Sequence, residues 1–597
     1  MRTAWFASLF LLVYASLHAE TPRLPEKLGR GVIAVPAQGG MLVTWRLLGD
    51  DPEGAAFHVE RSRDGGPAER LTREAVAGAT CFLDATADVS KPLAYTVRPI
   101  GAGAVGSYTV RAEDVGKPYR SIPLQTLPGN TPNDAAVGDL DGDGEYEIVL
   151  KQEMRPRDNS QRGATGTTKL EAYTLAGSFL WRIDLGPNVR EGAHYTPFLV
   201  YDFDGDGCAE VACRTADGTV DGRGMTIGDA KADHRNADGY VLEGPEFLTV
   251  FEGTTGRELA TVDYLPERGR VASWGDRYGN RVDRFLAAVA YLDGERPSLV
   301  FCRGYYTRTV LAAWDWRDGK LSSRWVFDSD AGPDSNRAYR GQGNHNLVVA
   351  DVDGDGRDEI TYGACAIDDD GRGLYSTGLG HGDALHVSDL DPERPGMEVF
   401  DIHEHVSHDH GAEFRDARTG ALIWSKKSPD VGRGVAFDID PRHPGAECWA
   451  AGAGLSGLWN ARGELISAKR PRSCNFGIWW DGDPLRELLD GVRVSKWDWN
   501  REAEDVLLVA EGCASNNGTK STPALSADIL GDWREEVLLR SLDGRELRLY
   551  STPIPTAIRL PTLMHDRQYR LAVACQNVGY NQPPHPSFFL AGRVSGR

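Results

Sequence analysis

One nonapeptide is written three times in this chain: Asp139-Leu-Asp141-Gly-Asp143-Gly-Glu-Tyr-Glu147, Asp202-Phe-Asp204-Gly-Asp206-Gly-Cys-Ala-Glu210 and Asp351-Val-Asp353-Gly-Asp355-Gly-Arg-Asp-Glu359. Weaker copies stand at Asp389-Leu-Asp391-Pro-Glu393 with Glu398, at Asp438-Ile-Asp440-Pro with Glu447, and at Asp528 with Asp532 and Glu535. Two eroded copies, Tyr291-Leu-Asp293-Gly-Glu295 and Trp480-Asp481-Gly-Asp483, keep the same frame and bring the total to eight. An apolar strand and a hairpin with a glycine turn follow most copies, as in Leu170-Glu-Ala-Tyr173 with Leu180-Trp181. A loop plus about four strands cannot bury its faces alone, so eight such units in series predict an all-β fold, an eight-bladed β-propeller. Few stretches carry the 3.6-residue period of a helix.

The repeated phrase also has a chemistry. Alternate aspartates turn their carboxylates to one centre, glycines allow the tight turn, and a glutamate closes the shell of hard oxygen donors, which suits calcium. The expected ligands of several calcium ions are therefore Asp139, Asp141, Asp143 and Glu147; Asp202, Asp204, Asp206 and Glu210; Asp351, Asp353, Asp355 and Glu359; Asp389, Asp391 and Glu398; and Asp438, Asp440 and Glu447. Their expected role is to pin loops between strands rather than to catalyse.

Before the repeats, residues 24–115 alternate apolar and polar side chains in short runs such as Gly40-Met-Leu-Val-Thr-Trp45 and Leu93-Ala-Tyr-Thr-Val-Arg98. This pattern predicts a small β-sandwich resembling a fibronectin type III domain, with the propeller occupying 120–597. Residues 1–19 read as a secretory signal peptide: Met1-Arg2, an apolar stretch from Trp5 to Leu17, and small Ala19 at a cleavage position. The stretch is shorter than the roughly 20 residues of a spanning helix. The expected location is secreted or periplasmic. Nine scattered cysteines form no C-x-x-C motif; most read as small buried hydrophobes, and their spacing leaves open whether any pair forms a disulfide. With 87 acidic against 66 basic side chains, the formal charge of −21 argues against nucleic-acid or membrane partners. A closed propeller needs no partner chain for stability, so a monomer is expected.

Four further groups depart from the repeat. His345, His381, Asp383 and Glu404 mix imidazoles with carboxylates on glycine-flanked stretches, a donor set for a second kind of metal site at the central channel. Asn517-Gly518-Thr519-Lys520 presents a cation on a donor-rich turn. Arg433, between glycines, can grip a carboxylate in bidentate fashion, and Tyr580 offers a ring for stacking on a sugar.

The strings VGDLDGDGEYEIVLKQE, GDRYGNRVDRFLA, GQGNHNLVVADVDGDG, STGLGHGDALH, DVGRG, NFGIWWDGD, NNGTK, LMHDRQYR and NVGYNQPPH, in order from about Lys117 to Phe589, resemble the rhamnogalacturonan lyases of polysaccharide lyase family 11. The resemblance implies calcium-dependent β-elimination between rhamnose and galacturonate in the rhamnogalacturonan I backbone of pectin. It places substrate contacts at Asn133, Glu153, Arg433, Asn517, Gly518, Thr519, Lys520 and Tyr580, and His345, His381, Asp383 and Glu404 around a cleft calcium; the chemistry of elimination then makes Lys520 and Arg433 the candidate catalytic residues. Position 153 is Glu where the family pattern has Asp. Which of Arg433 and Lys520 is the base stays open at this level, and endo action is expected because the His403 to Arg433 stretch carries no evident insertion. The competing readings are a non-catalytic calcium-braced adhesion or carbohydrate-binding propeller, and a hydrolase built on a carboxylate pair.

Overall fold

The computed structural model describes residues 25–595 except residue 64 and residues 406–408; the signal-peptide expectation for 1–19 lies outside the described residues. The fold is all-β. Near the amino terminus, Ile33–Ala37, Gly40–Thr44 and Cys81–Asp84 form one antiparallel sheet, and Glu69–Arg70, Phe57–Arg63, Leu93–Pro99 and Gly106–Thr109 form a second. Alternation decides which face is buried: Phe57, Val59, Leu93, Tyr95 and Val97 point inward, and Trp45 meets Phe57 edge-on at 5.6 Å.

Eight further sheets follow in chain order. Their first strands are Thr131–Gly138, Phe198–Tyr201, Phe285–Ala290, Gly343–Ala350, Leu385–Ser388, Val431–Phe437, Phe476–Ile478 and Leu525–Ala527. In the first seven sheets, each strand pairs antiparallel with the next in sequence. The eighth is completed from the other end of the region, because Arg120–Pro123 pairs with Glu546–Tyr550 through Glu546↔Pro123 and Leu549↔Arg120. The first strands of sheets one to six touch in succession, and that of sheet eight touches that of sheet one.

The repeated loops join the first and second strands. In seven of the eight sheets a glutamate opens the second strand opposite the last residue of the first: Gly138↔Glu147, Tyr201↔Glu210, Ala350↔Glu359, Ser388↔Glu398, Phe437↔Glu447, Ile478↔Glu487 and Ala527↔Glu536. The third sheet has Ser298 there. This corrects the sequence reading of the last copy. Its closing residue is Glu536, which accepts from Ile529 and Leu530 N–H at 3.0 and 2.8 Å, whereas Glu535 faces Trp479 N–H and the Tyr569 hydroxyl.

A short helix, Arg567–Ala574, was not signalled by periodicity. Asp566 caps it by accepting from Tyr569 N–H at 2.9 Å, and it lies against the first strands of sheets one to four. Buried Arg570 ties it to Glu26 at 2.6 Å. The two amino-terminal sheets join the repeated loops through their flanking backbone: Gly29 N–H donates to Gly144 O at 2.7 Å and Gly531 N–H to Gly31 O at 2.7 Å. One apolar core runs through both, from Trp45, Phe57 and Val97 to Ile148, Trp533 and Leu549. All nine cysteines are free thiols, and six of them are buried.

Candidate active site

Each loop is organised by its own backbone. Asp139 accepts from Gly142, Asp143 and Gly144 N–H at 2.7, 3.1 and 2.8 Å, and Asp202 and Asp351 repeat this with Gly205 and Gly207 and with Gly354 and Gly356. Gly142 and Gly144 have φ of 81° and 89°, a conformation a β-carbon would disfavour. Glu147, Glu210 and Glu359 each spend one oxygen on a loop N–H, and the other Glu359 oxygen is buried without a hydrogen-bond donor, as are second oxygens of Glu447 and Asp389. Burial first, then the neighbouring aspartates, pushes Glu147 up to about 7 and Glu210 and Glu359 up to about 8. Converging oxygens that lack donors fit a hard divalent cation.

The copies are not equivalent. Arg442 takes both oxygens of Asp440, at 2.8 and 2.6 Å, and Arg534 takes both of Asp532. In the seventh sheet Lys496 sits inside the loop, donating to Asp481, to Asp483 at 2.5 Å and to Glu487 at 3.3 Å. Sequence reasoning missed both Glu487 and Lys496 there, because the lysine comes from the neighbouring strand Arg493–Asp498.

The remaining candidates converge at one place. His345 leaves the first strand of sheet four, His381 and Asp383 lie just before sheet five, and Glu404 follows its second strand, Glu398–Ile402. One donor atom from each lies within 4.8 Å of the others. His381 Nε2 and Asp383 Oδ1 are buried without hydrogen-bond partners. Burial drives His381 down to about 3 and His345 well below the usual range, so both imidazoles are neutral, and His381, whose Nδ1 meets Gly343 O at 2.6 Å, keeps a free lone pair at Nε2. Glu404 is pushed up to about 7 by burial and by Asp383 and Asp430. This set fits a divalent cation.

Lys520 Nζ donates to Asp383 Oδ2 at 2.6 Å and lies 3.9 Å from the Tyr580 ring centroid. The Arg433 guanidinium stands 5.4 Å over the same ring, its Nε and Nη1 buried with no acceptor. Tyr580 stacks on His345 at 4.3 Å, and its N–H donates to His345 O at 3.0 Å. Burial and Arg433 lower the Lys520 pKa against the opposing pull of Asp383; burial lowers Arg433. The Asn517 turn is anchored through Asp134, which accepts from Asn517 at 3.0 Å, Asn581 at 3.2 Å and Lys151 at 2.9 Å. Gly518 and Thr519 are exposed on this turn. Asn133 adjoins Asp134, and Glu153 lies 3.7 Å from Lys151 but is only 6 % exposed. Residues the sequence did not single out complete the wall: His194, 4.9 Å from Tyr580, and Tyr305 and Tyr306, whose hydroxyls meet His345 Nδ1 and Nε2 at 2.9 Å each. Lone histidines and tyrosines in apolar runs give no signal in one sequence.

Residues 126–596 match the model of rhamnogalacturonan lyase family 11, C-terminal domain, and residues 23–113 that of the rhamnogalacturonan I lyases beta-sheet domain. The chain belongs to rhamnogalacturonan lyase family 11. Within the family it is 54% identical over 580 residues to rhamnogalacturonan endolyase YesW of Bacillus subtilis, covering 95% of this chain and 91% of that protein. It is 51% identical over 593 residues to rhamnogalacturonan exolyase YesX of the same organism, covering 95% of each. The crystal structure of a Bacillus licheniformis family 11 lyase superposes with a TM-score of 0.90 at 55% identity, covering 95% of this chain and 97% of that one.

Proposed function

We propose that this protein is a rhamnogalacturonan lyase that cleaves the rhamnose–galacturonate bond of rhamnogalacturonan I by β-elimination, from within the polymer. The observation that carries the reading is the pairing of two cations, Arg433 with unpaired buried donors and Lys520 with a lowered pKa, over one aromatic ring beside a cation-ready cluster. Arg433 holds the galacturonate carboxylate with the donors that lack an acceptor in the protein. Lys520, as the neutral amine, takes the proton on the carbon α to that carboxylate at Nζ, the bond to the departing rhamnosyl oxygen breaks, and a carbon–carbon double bond forms. Solvent protonates the leaving oxygen. Asp383 holds Nζ in place, and Tyr580 stacks on the adjoining sugar. His345, His381, Asp383 and Glu404 would hold a calcium ion, which when bound would supply charge neutralisation of the uronate. Endo action is supported by the identity to the endolyase and stands apart from the exolyase reading by product size.

The same proposal extends to the frame. The eight successive sheets, with Arg120–Pro123 completing the last, support an eight-bladed propeller braced by calcium in its loops, and the two small sheets support a fibronectin type III-like sandwich. We take the protein to be exported and monomeric; among the described residues no helix is long and apolar enough to cross a membrane. The test is incubation with rhamnogalacturonan and calcium. New ultraviolet absorbance from an unsaturated uronate, with oligosaccharides of many lengths appearing early, is the expected result. Reducing ends without that absorbance mean a hydrolase, and neither product means a binding protein.

A further inference from the structure

Besides Arg433, a second guanidinium close to the site, Arg281, makes no ion pair among the described residues. Arg214, Arg268 and Arg303 converge on Glu246, Arg284 meets Asp158 at 3.4 Å, and Arg308 holds Asp328 at 2.6 Å. Arg281 differs. Its backbone N–H is fixed by Asp276 at 2.7 Å, in a turn where Asp276 also accepts from Tyr278 and Gly279 N–H at 2.9 and 2.8 Å. Its half-buried guanidinium lies over the Tyr306 ring, 3.9 Å from the centroid, and among the described residues makes no ion pair.

Tyr306 connects this group to the site. Its ring is 4.2 Å from that of His381, and its hydroxyl contacts His345 Nε2 at 2.9 Å. Contacts therefore run in a chain from Lys520 through Asp383, His345 and Tyr306 to Arg281. In a protein with a formal charge of −21, a cation pinned in place without a counter-ion is matched to an anion from outside. The polymer has one: a galacturonate carboxylate recurs in every disaccharide, and the cleft cations engage a single one of them.

We propose that Arg281 is a subsite residue that binds a second uronate carboxylate of the substrate, one repeat away from the bond being cleaved. This rests on the lyase reading above. Stacking on Tyr306 restricts the side chain beforehand, so little rotamer freedom is lost on binding. The contact forms with the bound chain before reaction and persists through it, so it acts on KM and not on the chemical step.

The experiment compares the full chain with Arg281→Gln and Arg281→Lys on rhamnogalacturonan in calcium, following unsaturated uronate, with melts in calcium and in chelator for each. Arg281→Gln is expected to raise KM about tenfold, which is about 1.4 kcal/mol, with kcat changed by less than about twofold and the melts unaltered. The salt dependence of its KM weakens, and Arg281→Lys recovers part of the loss. An unchanged KM and salt slope would overturn the proposal. So would a fall in kcat with an altered calcium response, which would mean that Arg281 acts on the metal cluster. Wild type yielding no unsaturated uronate defeats the lyase reading itself, a separate outcome.

Discussion

In the loop at 139–147 the carboxylates come from one stretch of nine residues and are held by their own backbone, down to the Gly142 and Gly144 N–H groups on Asp139. In the cleft, His345, His381, Asp383 and Glu404 come from three stretches around two sheets, and Lys520 donates to Asp383 at 2.6 Å. Both arrangements fit a divalent cation, but they differ in what else is present. The loops offer hard oxygens and nothing that binds or deprotonates a sugar. The cleft joins a cation site to a buried guanidinium, a depressed amine and a stacking ring. The difference teaches that the repeat serves stability and the exceptions to it serve chemistry. In the seventh sheet Lys496 supplies a positive charge to the loop carboxylates Asp481, Asp483 and Glu487 from within the chain.

The largest effect separating the two regions is expected from a pair of substitutions. Asp383→Ala lowers turnover by about a thousandfold, the scale of removing a charge-stabilising group from an active site, with little change in Tm. Glu359→Ala does the reverse: Tm falls and turnover at 25 °C stays near wild type. Steady-state kinetics beside melts of both variants checks this, and a Glu359→Ala protein that is folded but inactive would break the distinction.

Next in size is Lys496→Met. Removing the ammonium leaves Asp481, Asp483 and Glu487 facing one another, a loss of about 3 kcal/mol by analogy with broken buried ion pairs. Added calcium should recover it. Denaturant unfolding with and without calcium reads both. A variant as stable as wild type in chelator would show that Lys496 does not neutralise this loop.

A smaller effect is a reversal of pH dependence. Without metal, Glu147 at about 7 and Glu210 and Glu359 at about 8 stand above the ordinary glutamate value of 4.5. A folded value above the unfolded one means that this stability is complete below about pH 4.5 and is lost as pH rises through 7 to 8. In chelator Tm should therefore fall from about pH 5 to 8. In calcium it should rise over the same interval, because ligation requires the ionised form. Parallel curves would deny that the loops are calcium sites.

How much of this was legible in the sequence follows the same division. Glycine spacing and alternate aspartates encode the loops locally, so all eight sheets could be located from copies of the acidic phrase, while the closing residue slipped by one in the last copy, from Glu535 to Glu536, and Glu487 was missed in the seventh. Lys496, Tyr306, Arg281 and Asp134 were invisible because their partners lie on other strands or other sheets. The helix Arg567–Ala574 was missed because eight residues, with buried Gln568 and Arg570 among them, make too short and too polar a stretch to show a period.

The most direct test of the central claim is Lys520→Met, assayed on rhamnogalacturonan for unsaturated uronate while polymer binding is measured on the same preparation. Retained binding with turnover reduced by about a thousandfold is the predicted result. Full turnover with intact binding would contradict Lys520 as the base.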